Sequence, residues 1–247
     1  MTMIRALFDV PNSYSAPKII AHRGANSLEP ENSIPAFEAA GRLGVWAIET
    51  DVHKTADGKL VCFHNKRVDG LTNGEGAVAE LTFDYLRSLH ITAGNNVQAH
   101  TEHELRIPTF EEYLEICKKH GSVPFIELKT NIAEETMFYV RKLGLEDSCV
   151  YSAIKFEPLE CARKLSDRVF IHHIFSSEER IPRLAELGYS GMSFKIADLD
   201  DVPEGLVERV HSAGVKVCFR AADTPEVMRR AIDMGTDYVP SNCVFGL

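Results

Sequence analysis

The sequence predicts an α/β protein whose β/α units lie on a parallel sheet, and three observations carry that expectation. Short apolar runs alternate with amphipathic segments almost without a break from Ile19 to Pro240. Gly44, Gly121, Gly144, Gly188, Gly214 and Gly235 stand where the left-handed residue that ends a helix belongs. The chain has 247 residues, the length at which an α/β barrel of about 250 residues folds as one domain.

Taken in order, the first strand is expected at Ile19–His22 and the first helix at Ser33–Leu43. Strands follow at Trp46–Val52 and Leu60–His64, joined by Ala56-Asp57-Gly58-Lys59, where Asp-Gly suits a tight hairpin turn. Lys66 to Arg106 breaks the rhythm: it carries four glycines among weakly periodic polar residues. It reads as an insertion at about 66–106, after the third strand, and either shapes the substrate site as a lid or is a surface excursion. Thr109 can cap a helix at Phe110–His120, and Pro124–Leu128 is the next strand. The alternation then continues: helix Ala133–Leu143, strand Cys149–Ala153, helix Pro158–Leu165, strand Val169–Ile174, helix Ser177–Leu187 and strand Tyr189–Phe194. Helix Glu204–Ala213 precedes strand Val215–Phe219. Thr224-Pro225-Glu226 then opens a helix to Met234, with proline at its first position, before the last strand at Thr236–Pro240.

Composition is that of an ordinary globular chain, with 45% apolar and 26% charged residues. A formal charge of −9 argues against a nucleic-acid partner, since phosphate backbones attract basic surfaces. It leaves room for a small anion, because local cations can invert the sign within one cleft. The six cysteines are scattered with no C-x-x-C pair, which argues against a disulfide framework or zinc site. No signal peptide is visible in Met1–Tyr14, and no apolar run approaches the roughly 18 residues of a membrane span. A cytoplasmic protein without a membrane anchor is expected.

The chemistry-bearing residues gather at predicted strand ends, which in a parallel α/β protein converge on one face. Glu49 and Asp51, two apart on a strand, point to the same side. Two such carboxylates are costly together unless they bind a cation or share a proton, and a hard ion such as Mg2+ or Ca2+ suits oxygen ligands. Glu127 is a third strand-end acid, with Lys129 on its side. His22 and His64 end apolar runs. Singly each would be a hydrogen-bonded core residue; together beside carboxylates they suit a general acid and base. Arg23 offers a planar fork for phosphate, and Gly24 lets backbone come close. Arg220, following the predicted eighth strand, either enters the cleft to favour a second anionic group or points outward.

His22-Arg23-Gly24, Pro30-Glu31-Asn32-Ser33, Glu49-x-Asp51, Val61 to His64 after the Asp57-Gly58 turn, Leu71-Thr72-Asn73-Gly74-x-Gly76 and Glu127-Leu128-Lys129 together resemble the glycerophosphodiester phosphodiesterase family. The match is dense from Lys18 to Lys129 and continues mainly as β/α rhythm. The resemblance implies a TIM (β/α)8 barrel over residues 1–247. It implies Glu49, Asp51 and Glu127 as ligands of one divalent cation, Mg2+ or Ca2+, and His22 and His64 as the acid/base pair. Arg23 and Lys129 would lie near the phosphate. The implied reaction is hydrolysis of a small phosphodiester to glycerol 3-phosphate and an alcohol, by direct water attack or through a cyclic phosphate. Other readings are a lysophospholipid phosphodiesterase, or a barrel that binds phosphodiesters without turnover. Asn65 stands where many family members have aspartate after the second histidine, and Pro240-Ser241-Asn242 replaces the closing Thr-Asp pair. Both departures bear on the alcohol end of the substrate.

Overall fold

The computed structural model describes residues 18–194, 199–219 and 221–244. Its strands are β1 (Lys18–Ala21), β2 (Ala47–Lys54), β3 (Leu60–Cys62), β4 (Val123–Leu128), β5 (Val150–Ala153), β6 (Phe170–Ser176), β7 (Ser190–Phe194), β8 (Lys216–Cys218) and β9 (Tyr238–Ser241). The helices are α1 (Ile34–Arg42), α2 (Phe83–Ser88), α3 (Phe110–His120), α4 (Ala133–Lys142), α5 (Phe156–Leu165), α6 (Ile181–Leu187), α7 (Leu206–Ser212) and α8 (Pro225–Asp233). Short 3-10 turns lie between several of them. Eight parallel strands run β1-β9-β8-β7-β6-β5-β4-β2 and close through a β1–β2 pairing. This is a TIM barrel, as the sequence predicts.

The expected strand at Leu60–His64 forms, but it is not a stave. β3 pairs antiparallel with β2 across the Asp57-Gly58 turn, so His64 arrives from a hairpin arm. Gly58 takes φ 80 there. Antiparallel pairing follows from the turn's length: two residues cannot carry the chain back to the start of a parallel neighbour.

Two layers of packing hold the barrel. Inside, Ile20, Ala47, Phe125, Phe170 and Tyr238 fill the floor of the barrel. Outside, Phe37, Phe110 and Tyr113 join the apolar faces of α1 and α3 to the sheet, and the Tyr113 hydroxyl donates to the Ile48 carbonyl at 2.7 Å. Burying each such side chain stabilises by about 1.5–3 kcal/mol. The excursion at 66–106 has its own apolar cluster, Val68, Val78, Leu86 and Leu89, seated on Val61, Phe63 and Ile107. Within it α2 forms, a helix that the polar, weakly periodic sequence does not announce.

One residue ties the excursion to the barrel wall. Glu112 completes a capping box with Thr109 at the start of α3 and receives both guanidinium nitrogens of Arg87 from α2, each at 2.9 Å. Burial opposes ionisation of this carboxyl, but the Thr109 backbone N–H and Arg87 outweigh it, and its pKa falls below the usual range. A group whose folded pKa is lowered stabilises above its unfolded pKa and loses that contribution as pH falls through the folded one. Glu112→Gln is therefore expected to cost about 1 kcal/mol at pH 7, allowing for solvent screening. In urea titrations the gap from the parent should close as pH drops below about 4.

Candidate active site

Register brings the acids together. β1 pairs with β2 at Ile20↔Ala47 and Ala21↔Ile48, so the chain leaving β1 arrives beside Glu49. There the Arg23 backbone N–H donates to Glu49 Oε2 at 2.7 Å. Arg23 and Gly24 both adopt positive φ, 57 and 79, to make that turn. A Cβ on Gly24 would lie 2.7 Å from the Ala36 backbone, so only glycine fits against α1. β2 and β4 place Asp51 directly opposite Glu127. The result is a group of Glu49, Asp51 and Glu127 whose ligand atoms all lie within 4.8 Å of one another.

Three carboxylates this close, largely out of water, shift one another. Burial, then Asp51 and Glu127, push the Glu49 pKa well above the usual carboxylate range. Glu127 rises for the same two reasons, burial and Asp51. Asp51 goes the other way: burial is outweighed by Lys129, His64 and Arg23, and its pKa is lowered. Lys129 Nζ sits 2.6 Å from Asp51 Oδ1 and 2.5 Å from Glu127 Oε1, while Asn32 Nδ2 donates to Asp51 Oδ2 at 2.8 Å. Arg23 Nη1 pairs with Glu31 at 2.8 Å and its Nε lies 3.5 Å from Asp51. The donor set fits a hard divalent cation: oxygen only, anionic in excess, clustered, and still incompletely neutralised by two side-chain cations.

His22, Arg23, Glu49, His64, Glu127 and Lys129 line one cleft of about 230 Å3 at the C-terminal end of the barrel. Each imidazole leans on an asparagine. His22 Nδ1 is 2.8 Å from Asn242 Oδ1, and His64 Nδ1 is 3.0 Å from Asn65 Oδ1. Asn242 is itself oriented: its Nδ2 donates to Asp223 Oδ2 at 2.8 Å and its backbone N–H to Asp223 Oδ1 at 2.7 Å. A carboxylate only accepts, so the amide oxygen must face His22. Neutral His22 then carries its proton on Nδ1, donated to the Asn242 Oδ1.

The structure thus gathers His22, His64, Arg23, Lys129, Glu49, Asp51 and Glu127 at one place. Arg220 lies outside the described residues. Several residues here carried no sequence signal: Asp223, Asn26, whose amide bonds both the His22 carbonyl and Asn242, and Ser152, whose buried hydroxyl faces the cleft without a hydrogen-bond partner. His172, given no role from sequence, also lines the cleft, with Nδ1 2.5 Å from the Tyr238 hydroxyl. No residue of the 66–106 excursion lines it. Instead that segment braces the loop after β1, through Asn95 to the Asn26 carbonyl at 2.8 Å and His100 to Glu29 at 2.6 Å.

Comparison with known proteins shows which family the chain falls in. A model of the glycerophosphoryl diester phosphodiesterase family matches residues 22–243. A glycerophosphodiester phosphodiesterase of Caldanaerobacter subterraneus is 32% identical over 225 residues, spanning 89% of this chain and 91% of the relative. A glycerophosphodiester phosphodiesterase from Parabacteroides distasonis superposes with a TM-score of 0.77 at 26% identity, covering 92% of each chain. A phosphodiesterase from Oleispira antarctica, solved with its product sn-glycerol-3-phosphate, superposes with a TM-score of 0.76 at 24% identity and covers 92% of this chain and 93% of its own.

The Asp223–Asn242–His22 chain makes a spectroscopic prediction. Long-range 15N correlation spectra of the parent should show neutral His22 as the Nδ1–H tautomer. Asn242→Ala should return the ring to the mixture of a solvated histidine; an unchanged tautomer would show that the amide does not set it.

Proposed function

The chain belongs to the glycerophosphoryl diester phosphodiesterase family, and from that premise we propose that it hydrolyses glycerophosphodiesters to glycerol 3-phosphate and an alcohol. The observation that carries the reading is the cluster of Glu49, Asp51 and Glu127, two of which line the cleft that His22, His64 and Arg23 also line. The product complex of the Oleispira antarctica neighbour supports the choice of product.

Glu49, Asp51 and Glu127 would hold one divalent cation, Mg2+ or Ca2+. Such an ion supplies Lewis-acid polarisation of a phosphate oxygen. Arg23 and Lys129 bind and orient the phosphodiester from either side, the guanidinium by its planar fork. His22 Nε2 takes a proton from the attacking oxygen, a water or a hydroxyl of the substrate's glycerol, because its Nδ1 is committed to Asn242. Where the hydroxyl attacks, water then opens the cyclic phosphate with the roles of the two imidazoles exchanged. His64, half-exposed, donates to the departing alkoxide oxygen from Nε2. The P–O bond to the alcohol breaks as the bond from the attacking oxygen forms, and the two rings reset by exchanging protons with water. The substrate is a small molecule; no helix among the described residues is long and apolar enough to cross a membrane.

A second substrate reading has one observation behind it. Ile154 and Phe175 line the cleft yet stay 53% and 38% exposed, an apolar rim that an acyl chain could cover.

The test is an activity matrix of glycerophosphocholine, glycerophosphoethanolamine and lysophosphatidylcholine with EDTA, Mg2+ and Ca2+. Turnover should vanish on chelation and return with the ion; full activity after exhaustive chelation would overturn the cation assignment. Lysophosphatidylcholine cleaved faster than its deacylated counterpart would move the substrate to the second reading. His22→Ala should lower kcat by about 10²–10⁴-fold while leaving the melting temperature near the parent's. Equal rates would remove His22 from the chemistry.

A further inference from the structure

Beyond the ridge of Ile154 and Phe175, on the side away from Glu49, the ends of β5 and β6 enclose a second groove of about 450 Å3. Its polar groups are Lys155, His173, Ser176, Ser177 and Arg180, and among the described residues no carboxylate lines it. In a chain of net charge −9 that is a local reversal of sign. Among the described residues neither Lys155 nor Arg180 has an ion-pair partner. Arg180 instead lies over the Phe156 ring, 5.7 Å from its centroid, and Phe156 stacks on His173 at 4.2 Å. That contact holds the Arg180 guanidinium beside the groove it lines.

Two further atoms point the same way. His173 Nδ1 and Ser176 Oγ are buried and have no hydrogen-bond partner, in residues only 5% exposed. Unsatisfied polar atoms in such positions are uncommon, and two bordering one groove point to a polar ligand, one whose oxygen accepts from the Ser176 hydroxyl. Burial, then Arg180, lowers the His173 pKa to about 4, so the ring is neutral and donates from only one of its nitrogens. The backbone serves the same arrangement. β6 and β7 slip register between His173 and Ser176, and Phe175 there takes φ 53, an unusual value for a bulky residue. That slip stands Phe175 on the ridge while Ser176 turns inward.

We propose that this groove is an anion subsite for the alcohol half of the substrate, which would carry a second phosphate or carboxylate beyond the scissile diester. Lys155 and Arg180 bind its charge, while the Ser176 hydroxyl donates to its oxygens. The proposal rests on the phosphodiesterase reading, since it places the diester at Glu49, Asp51 and Glu127 and runs the alcohol over the shared Ile154–Phe175 ridge. Arg220, the cation the sequence suggested for a second anionic group, is not needed for it.

The experiment compares glycerophosphoinositol with glycerophosphoinositol 4-phosphate, which differ by one phosphate on the alcohol. The parent should prefer the phosphorylated substrate in kcat/KM by about tenfold. Arg180→Gln and Lys155→Met should each remove most of that preference, through KM, while leaving glycerophosphoinositol within about twofold of the parent. No preference in the parent, or an equal loss on both substrates, would overturn the subsite. Titration calorimetry of myo-inositol 4-phosphate against the parent and Arg180→Gln separates the two readings. Binding that weakens in the variant, without turnover of either diester, would keep the groove and refute the hydrolase. Turnover with no measurable binding and no preference would do the reverse.

Discussion

The gathering of Glu49, Asp51 and Glu127 at the mouth of the barrel is the constraint to which the rest of the site answers. At a few ångströms and in a poorly solvated place, carboxylates repel by several kcal/mol unless cations or donors intervene. Lys129 bridges two of them, the Arg23 backbone caps the third, and Asn32 donates to Asp51 while accepting from the Thr50 hydroxyl at 2.7 Å. These contacts cost backbone comfort, since Arg23 and Asn32 are two of the few non-glycine residues with positive φ. Strain of this kind, of order 1–3 kcal/mol per residue, persists where the surroundings fix the chain. Here the barrel register, α1 behind Gly24 and the bracing excursion do so.

Much of the architecture was legible because its physics is local. Apolar runs and capping residues located the nine described strands and seven of the eight described helices, with ends within about two residues for most. α5 starts at Phe156, two residues ahead of the proline that the sequence suggested as its start, and the segment from Ser177 begins as a 3-10 turn before α6. α2 escaped notice because its stability comes from Leu86 packing under Val61 and Phe63, contacts that composition does not display. The hairpin at Asp57-Gly58 was readable; that it takes β3 out of the barrel wall follows from pairing with β2, a tertiary fact.

The same division separates the parts of the site. Spacing along single strands exposed Glu49 with Asp51 and Glu127 with Lys129. The partners that orient His22 come from the far end of the chain, Asn242 being 220 positions away and Asp223 held to it by two further bonds. No periodicity links such residues. Asn65 and Asn242 looked like losses when set against the family's aspartates. In the folded chain both amides accept from an imidazole, and the charge missing at Asn242 is supplied one link further out by Asp223. Ile154 and Phe175 were equally silent, since only the loop geometry of β5 and β6 turns two ordinary apolar residues into a cleft wall.

The seams of the barrel are unequal, and that divides the molecule mechanically. Among the described residues β1 and β9 are matched at four positions, but β1 meets β2 at two and β8 meets β9 at one, whereas β2 and β4 share six. His22 leaves β1 and Asn242 leaves β9, so this imidazole and the amide that orients it shift as a unit on one ribbon. The oxygen cage stands on a separate plate made of β2 and β4. Thermal breathing across the narrow joints would open the gap between ribbon and plate while sparing the fit inside each, so heat would silence turnover well before it melted the fold.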